Sequence, residues 1–172
     1  MSLLDTLLFP LAFAAALGCG LIAGTFFAFS NFVMKALASV SAERGIAAMQ
    51  SINVVVLNPL FLGVFVGTAA LCLVLAALAL VRWAQPGAAW LLIGSVLYLF
   101  GNLFVTRAFN IPLNDALARL DPSAAGSASE SATAWQAYLR DWTRWNHVRT
   151  ITALLGAAAF TGALCRMAAA RA

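Results

Sequence analysis

The sequence predicts an all-α fold, an integral membrane four-helix antiparallel bundle, on three observations. First, the 172-residue chain is 63% hydrophobic and only 9% charged, whereas about 25% of the residues of a typical soluble domain are charged. Second, its mean hydropathy is +0.94, which suits a lipid bilayer as solvent. Third, long uncharged runs separate the charged residues. A helix needs about 20 apolar residues to cross the hydrocarbon core, and it satisfies its backbone polar groups internally, as lipid requires.

The uncharged runs define the expected spans. Two of them lie between Asp5 and Lys35 and between Arg44 and Arg82, and two shorter runs follow. We therefore expect a single transmembrane domain over residues 1–172. Its four spans are predicted at about residues 8–37, 53–82, 88–109 and 146–168.

The first span carries a stripe of small residues, because Ala16, Gly20, Gly24 and Ala28 recur every four positions. Small residues at this spacing let two helix backbones approach closely in lipid. We expect the stripe to pack inside the bundle. The alternative is a homodimer through the Gly20/Gly24 face.

The second span contains a proline. Pro59 lacks an N–H and leaves an upstream carbonyl free, so a kink is expected there, with Asn58 helping to satisfy the distorted turn. Further along, Gln85-Pro86-Gly87 breaks the chain sharply. That turn separates the second span from the third.

The connection between the third and fourth spans, residues 110–145, is predicted to be partly helical. A short helix is expected over Pro112–Leu120, followed by a loop of small residues over Asp121–Ser131. Thr133 is a suitable N-cap for a further helix. With no helix breaker after it, that helix is expected to cover Ala134–Met167.

The net charge of +4 and the pI of about 9.5 come from ten basic residues that are scattered at the ends of segments. This distribution is typical of membrane flanks and differs from the clustered basic surface of a nucleic-acid-binding protein. The partners expected are therefore the lipid bilayer and an aromatic or lipid-like small molecule, and no nucleic acid.

Polar residues within the spans are the most informative feature, because such groups are costly in lipid and tend to face a bundle interior or a cavity. In an antiparallel bundle, the end of the first span, the start of the second, the end of the third and the start of the fourth share one membrane face. The polar residues gather at that face, and nothing comparable marks the opposite one. They are Asn31, Gln50, Asn53, Asn102, Arg107, Asn110, Asn114, Asn146, His147 and Arg149.

Several of these residues also have a purely structural interpretation. Asn110 fits either a ligand contact or the N-cap of a new helix with Pro112 in its first turn. Trp145 and Arg149 fit either a site or an interfacial tryptophan belt with a snorkelling arginine. The many phenylalanines fit either lipid contact and core packing or a flat cavity for an apolar ring.

The polar residues at this membrane face, which we call the mouth of the bundle, offer limited chemistry. A metal site is not expected, because zinc generally takes three or four ligands, His147 is the single histidine and the predicted spans contain no acidic residue. Arg149 and Asn146 are suited to hold an oxyanion. His147 is suited to move a proton near neutral pH.

Several segments resemble the anthrone oxygenase family, and the resemblance extends over approximately residues 8–165. These segments are Phe26–Met34, Met49–Asn53, Asn58–Phe61, Asn110–Asn114 and Trp145–Thr150. Fungal members oxidise anthrones to anthraquinones with dioxygen, and no cofactor is established for them. Since many members are bacterial, the resemblance implies a multi-pass protein of a bacterial inner membrane.

The function implied is a cofactor-independent membrane oxygenase that oxidises an anthrone-like or polycyclic phenolic substrate with O2. His147, Arg149 and Asn146 are expected to be catalytic. The expected substrate-binding residues are Gln50, Asn53, Asn102, Arg107, Asn110, Asn114, Trp145 and Phe29. The alternative is a non-enzymatic membrane protein that binds a lipid or small apolar ligand through the same mouth, so the sequence leaves open whether the chain is an enzyme.

Overall fold

The computed structural model describes residues 3–121 and 128–170, and every regular element within them is helical. Three of these elements are π-helical segments that continue an α-helix with wider turns. The α-helices are α1 (Leu3–Ala28), α2 (Met34–Ala38), α3 (Ala42–Val55), α4 (Pro59–Val81), α5 (Ala88–Tyr98), α6 (Ile111–Ala118) and α7 (Ala128–Ala169), and the π-helical segments are Phe29–Val33, Leu99–Phe104 and Thr106–Asn110.

Four helical stretches are long and apolar enough to cross a membrane, which confirms the predicted all-α membrane bundle. They are Leu7–Ala38, Pro59–Val81, Ala88–Ala118 and Ser129–Ala169. The third and fourth are longer than predicted. The reason is that both continue as helix through the polar residues that were expected to end or precede the spans.

The second span differs from its prediction at the proline. The chain forms two helices, α3 and α4, and the predicted kink within one continuous helix is wrong. Asn58 is the N-cap of α4, with its Oδ1 accepting from the Phe61 N–H at 3.0 Å and its Nδ2 donating to the Val55 carbonyl at 3.0 Å. Pro59 follows at the first helical position, where its missing N–H costs nothing. Asn58 thus satisfies the turn, as expected, but it does so at a helix start.

The third span passes through Pro112 without a break. Asn110 has helical backbone angles (φ −75°, ψ −39°) and makes no side-chain cap, so its predicted capping role is wrong. Two π-helical segments precede the proline, and such irregular turns are where a helix accommodates an insertion or a proline ring. Continuation of this helix carries Asn114 and Asp115 to the bundle, which has consequences for the site.

The connection to the fourth span confirms the short helix, which is α6. Of the predicted loop Asp121–Ser131, residues 122–127 lie outside the described residues, and Ser129 onward is already helical. Thr133 is therefore inside α7 and not its cap, and its hydroxyl donates to the Ser129 carbonyl one turn earlier. The predicted continuity of this helix into the fourth span is confirmed.

Buried apolar residues form two clusters. The membrane cluster lies among α1, α4, α5 and α7, and the outer cluster lies among α2, α3, α6 and the first half of α7. The membrane cluster is Leu8, Ala12, Ala15, Cys19, Ile22, Ala23, Phe26, Phe65, Ala69, Cys72, Leu75, Ala79, Ala88, Leu91, Tyr98, Ala153, Phe160, Ala163 and Met167. The outer cluster is Met34, Ile46, Met49, Leu117, Trp135, Tyr138 and Trp142.

Close helix approach in the membrane cluster occurs at glycines other than those predicted. A Cβ added at Gly18 would overlap the Thr68 side chain, and one at Gly101 would overlap Thr152. Gly20 and Gly24 are exposed, and a Cβ there would meet nothing within 4 Å. The expectation that the stripe packs inside the bundle is wrong for Gly20 and Gly24, whereas Ala16 of the same stripe is partly buried against the membrane cluster. A homodimer through Gly20/Gly24 stays a prediction.

Candidate functional site

A cavity of about 460 Å³ lies at the junction of the two clusters. It is bounded by the end of α1, the α3–α4 break, the π-helical end of the third span with α6, and the middle of α7. Pockets of roughly 300–1,000 Å³ are typical for small-molecule ligands. Its wall is mostly apolar, with aromatic and polar residues that are Phe26, Phe29, Phe61, Phe65, Trp142, Thr25, Gln50, Asn53, Thr106, Asn110, Asn114, Asp115 and Arg149.

Arg149 is the chemically distinctive group of this pocket. Its side chain is only 5% exposed. The guanidinium carbon lies 4.1 Å from the centroid of the Phe26 ring and 5.1 Å from that of Trp142. Both rings offer a cation their negative faces. Nη1 donates to Thr106 Oγ1 at 3.2 Å, whereas Nε has no hydrogen-bond partner.

No acidic side chain of residues 7–121 or 129–170 forms an ion pair with Arg149. A buried charge normally requires a partner, because taking it out of water costs several kcal/mol. The aromatic rings and hydrogen bonds compensate only part of that cost. The arrangement therefore suits a ligand that brings negative charge into the pocket.

Asn146 positions Arg149 from behind the pocket wall. It is fully buried, and its Oδ1 accepts from Arg149 Nη2 at 2.7 Å. Its Nδ2 donates to the Phe26 carbonyl at 2.7 Å and to Ser30 Oγ at 2.6 Å. These bonds tie α7 to the point where α1 passes into its π-helical segment. Asn146 thus fixes the guanidinium orientation without lining the cavity.

The amides of the wall are held from several helices. Gln50 donates to the Leu117 and Leu120 carbonyls at 2.9 and 3.0 Å, which joins α3 to the end of α6. The Asn114 Oδ1 accepts from the Tyr138 hydroxyl at 2.9 Å. The predicted residues that do line the pocket are Phe29, Gln50, Asn53, Asn110, Asn114 and Arg149.

Asn110 has one side-chain atom without a partner. Its Nδ2 donates to the Trp142 carbonyl at 3.4 Å, but its buried Oδ1 has no partner among the described residues. The same holds for Arg149 Nε. Both atoms belong to residues that line the cavity, and a buried polar atom without a partner costs about 1–3 kcal/mol.

Three predicted binding residues do not reach the cavity. Asn102 is fully buried against Thr152, and with its amide oriented to satisfy both ends it donates to the Arg149 carbonyl at 3.2 Å. Arg107 is exposed on the outer face of its π-helical segment. Trp145 stacks on Phe109 with ring centroids 3.6 Å apart. Asn102 thus supports the backbone beneath the site, and the other two face away from it.

His147 also faces away from the pocket, which corrects its expected role as the base there. It is exposed and borders a separate, open depression together with Lys35 and Arg144. The reason is helical geometry. Two positions along an α-helix correspond to a rotation of about 200°, so His147 and Arg149 point to nearly opposite sides of α7.

Asp115 is the functional candidate that the sequence analysis missed. It lines the pocket although the spans were expected to contain no acidic residue. The sequence analysis considered acidic residues only within the spans, and Asp115 falls in the short helix predicted over Pro112–Leu120. Once the helix is known to continue, Ile111, Asp115 and Ala118 share one face at i, i+4 and i+7, and all three border the cavity. Among the described residues, no three His, Cys, Asp or Glu side chains cluster as metal ligands.

Comparison with protein families gives one match. Residues 61–159 match a family model described as anthrone oxygenase. The matched region covers more than half of the chain and contains Asn110, Asp115, Asn146 and Arg149, while Gln50 precedes it. No curated protein and no solved structure matches the chain.

Proposed function

The chain belongs to the anthrone oxygenase family, and we propose that it oxidises an anthrone-like or polycyclic phenolic substrate with dioxygen in the Arg149 pocket, without a cofactor. One observation carries the proposal. A buried guanidinium without an acidic partner among the described residues faces a mostly apolar cavity of about 460 Å³ that five aromatic side chains help to line. A flat aromatic molecule that becomes an oxyanion suits both the apolar wall and the unpaired cation.

The reaction proposed is the conversion of a ring methylene to a carbonyl. Loss of a methylene proton leaves an anion whose charge is delocalised onto the ketone oxygen at the opposite position of the central ring. Such an electron-rich anion is able to transfer an electron to dioxygen. One oxygen atom enters the new carbonyl, and the other leaves as water with the two methylene hydrogens. Atoms and electrons balance with dioxygen as the sole oxidant and no external reductant.

Arg149 is assigned the oxyanion. Its two terminal nitrogens are held by Asn146 and Thr106, and its Nε has no partner among the described residues. Donors that are oriented in advance and shielded from water stabilise developing negative charge most effectively. The free Oδ1 of Asn110 is assigned a phenolic hydroxyl of the substrate. We place the protein in a bacterial inner membrane, from whose lipid an apolar anthrone can enter.

The test is turnover by the purified protein in lipid nanodiscs. Emodin anthrone is supplied under air, and anthraquinone formation is followed by absorbance with the uncatalysed rate subtracted. We expect one O2 consumed per anthraquinone formed. A panel of anthrones with no rate above background excludes the oxygenase function, and retention of a ligand without turnover favours the binding-protein alternative.

Arg149→Lys tests the assigned oxyanion contact. Lysine keeps the charge but loses the planar fork, and loss of one oxyanion donor typically costs about 100-fold in kcat. We therefore expect turnover to fall about 100-fold while the protein still elutes as a folded species. Arg107→Lys is the matched control, since Arg107 is exposed and does not line the pocket, and it is expected to keep full turnover. Equal activity of both variants contradicts the assignment.

A further inference from the structure

We infer that Asp115 is the base that removes the methylene proton, an inference that rests on the proposed function. The oxidation begins with a C–H bond that breaks, and the proton needs an acceptor inside the pocket. The residue expected for this task, His147, lies on the other side of α7. The acceptor therefore has to be sought among the residues that border the cavity.

Two of the residues that border the cavity have an ionisable side chain, Asp115 and Arg149. An arginine is effectively always protonated, so it cannot accept the proton. Asp115 makes no hydrogen bond or ion pair to any described residue, which leaves its carboxylate oxygens available to a substrate. Asp115 is exposed and borders the cavity from α6, directly after Asn114, where the continued third helix forms the wall.

The positions of Asp115 and Arg149 also suit the two ends of the substrate at which the reaction takes place. Asp115 and Arg149 border the same cavity from different helices without pairing with each other. In an anthrone, the methylene carbon and the ketone oxygen lie at opposite positions of the central ring. A base at one part of the wall and a cation at another therefore match a substrate that loses a proton at one end and gains negative charge at the other.

In this reaction the Asp115 carboxylate accepts the two methylene protons one after the other. When the C–H bond breaks, its electron pair stays on the substrate and the proton moves to an Asp115 oxygen. Dioxygen then adds to the anion, and the resulting peroxide takes that proton back. Asp115 removes the second hydrogen as a proton while the carbon–oxygen double bond forms and the O–O bond breaks. The hydroxide that leaves takes up this second proton and becomes water.

The experiment compares Asp115→Asn with the wild type in nanodiscs across pH. At neutral pH we expect kcat to fall about 100-fold or more, the usual contribution of a general base. Substrate affinity is expected to stay equal or improve, because the variant removes negative charge from a pocket that binds an anion. Asp115→Glu is expected to recover most of the activity. Asp141→Asn is the matched control, since Asp141 pairs with Arg140 at 2.8 Å and does not line the pocket.

The decisive measurement is the turnover of both proteins at alkaline pH. There the anthrone ionises in solution and enters as the anion, and hydroxide is able to remove the second methylene hydrogen from the peroxide, so neither proton transfer requires a base in the protein. The ratio of wild-type to Asp115→Asn turnover is expected to approach one. A defect that persists at alkaline pH, or full activity of Asp115→Asn at neutral pH, overturns the inference. Wild-type turnover with an unaffected Asp115→Asn rejects this inference alone, whereas an inactive wild type rejects the proposed function together with it.

Discussion

The membrane cluster and the outer cluster pack in different ways, and the site lies where they meet. The membrane cluster is built mainly from alanines, cysteines and aliphatic side chains, with helices in close approach at Gly18 and Gly101. The outer cluster depends on large side chains, and the rings of Trp135, Tyr138 and Trp142 stack in sequence along α7. The cavity lies where one mode of packing gives way to the other, with residues of both clusters in its wall.

Buried polar residues form a layer at the same boundary between the two clusters. Asn146 and Arg149 stand on α7 one and two turns after Trp142, between the two clusters, and both are almost completely buried. Their hydrogen bonds reach the first and third spans. A buried polar layer that is well satisfied specifies how helices align. Here one of its atoms, the buried Arg149 Nε, has no partner among the described residues.

The largest effect is expected from breaking the membrane cluster with Gly18→Leu. Any side chain at this position overlaps Thr68 on α4, and overpacking a dense core costs typically 1–3 kcal/mol. We expect a cost of about 3 kcal/mol, at the upper end of that range, seen as a lower apparent midpoint of thermal unfolding in detergent. Gly20→Leu is the matched control and should leave the midpoint unchanged. Equal destabilisation by the two variants contradicts the packing described for α1.

A smaller loss of stability is expected from Asn146→Ala, which removes the hydrogen bonds between α7 and the end of the first span. The change leaves the Phe26 carbonyl and one Arg149 nitrogen without their partner. A lost buried hydrogen bond of this kind costs about 1–2 kcal/mol, and turnover should fall because Arg149 is no longer oriented. Thr161→Ala is the control, since that exposed hydroxyl bonds only within its own helix. An Asn146→Ala protein with normal turnover shows that Arg149 needs no positioning.

The smallest effect is expected from His147→Gln. This residue is exposed and does not border the cavity, so neither stability nor turnover should change measurably. The measurement is the same anthraquinone assay, with unfolding followed in parallel. A loss of turnover comparable with that of Arg149→Lys indicates that chemistry takes place on the other face of α7.

The membrane bundle was predictable because hydropathy acts over whole segments. Runs without charge, such as the one between Arg44 and Arg82, indicate membrane crossing whatever the local turns do. The gathering of polar residues at one end followed from antiparallel topology. Asn58 shows the limit, since one local pattern fits both a kink and a helix start. Whether the chain forms one kinked helix or the two helices α3 and α4 depends on the tertiary contacts that orient α3.

Site residues were harder to predict than the spans. Helical periodicity groups Asn146 and Arg149 on one face, but it does not say which face meets a cavity and which meets the next helix. The passage of the third helix through Pro112 runs against local preference. That passage brings Asn114 and Asp115 to the wall, and of these two the sequence analysis selected only Asn114.

By itself the sequence determined that this protein is suited to lipid, that it has four membrane-crossing helices and that its polar groups collect at one end of the bundle. These properties depend on side-chain hydrophobicity summed over long segments. Only the tertiary structure decided that Arg149 is buried without an acidic partner among the described residues, that His147 lies outside the cavity and that Asp115 lies on its wall. Those outcomes depend on helix rotation and on π-helical turns of a few residues. Both are set by how neighbouring helices pack against one another.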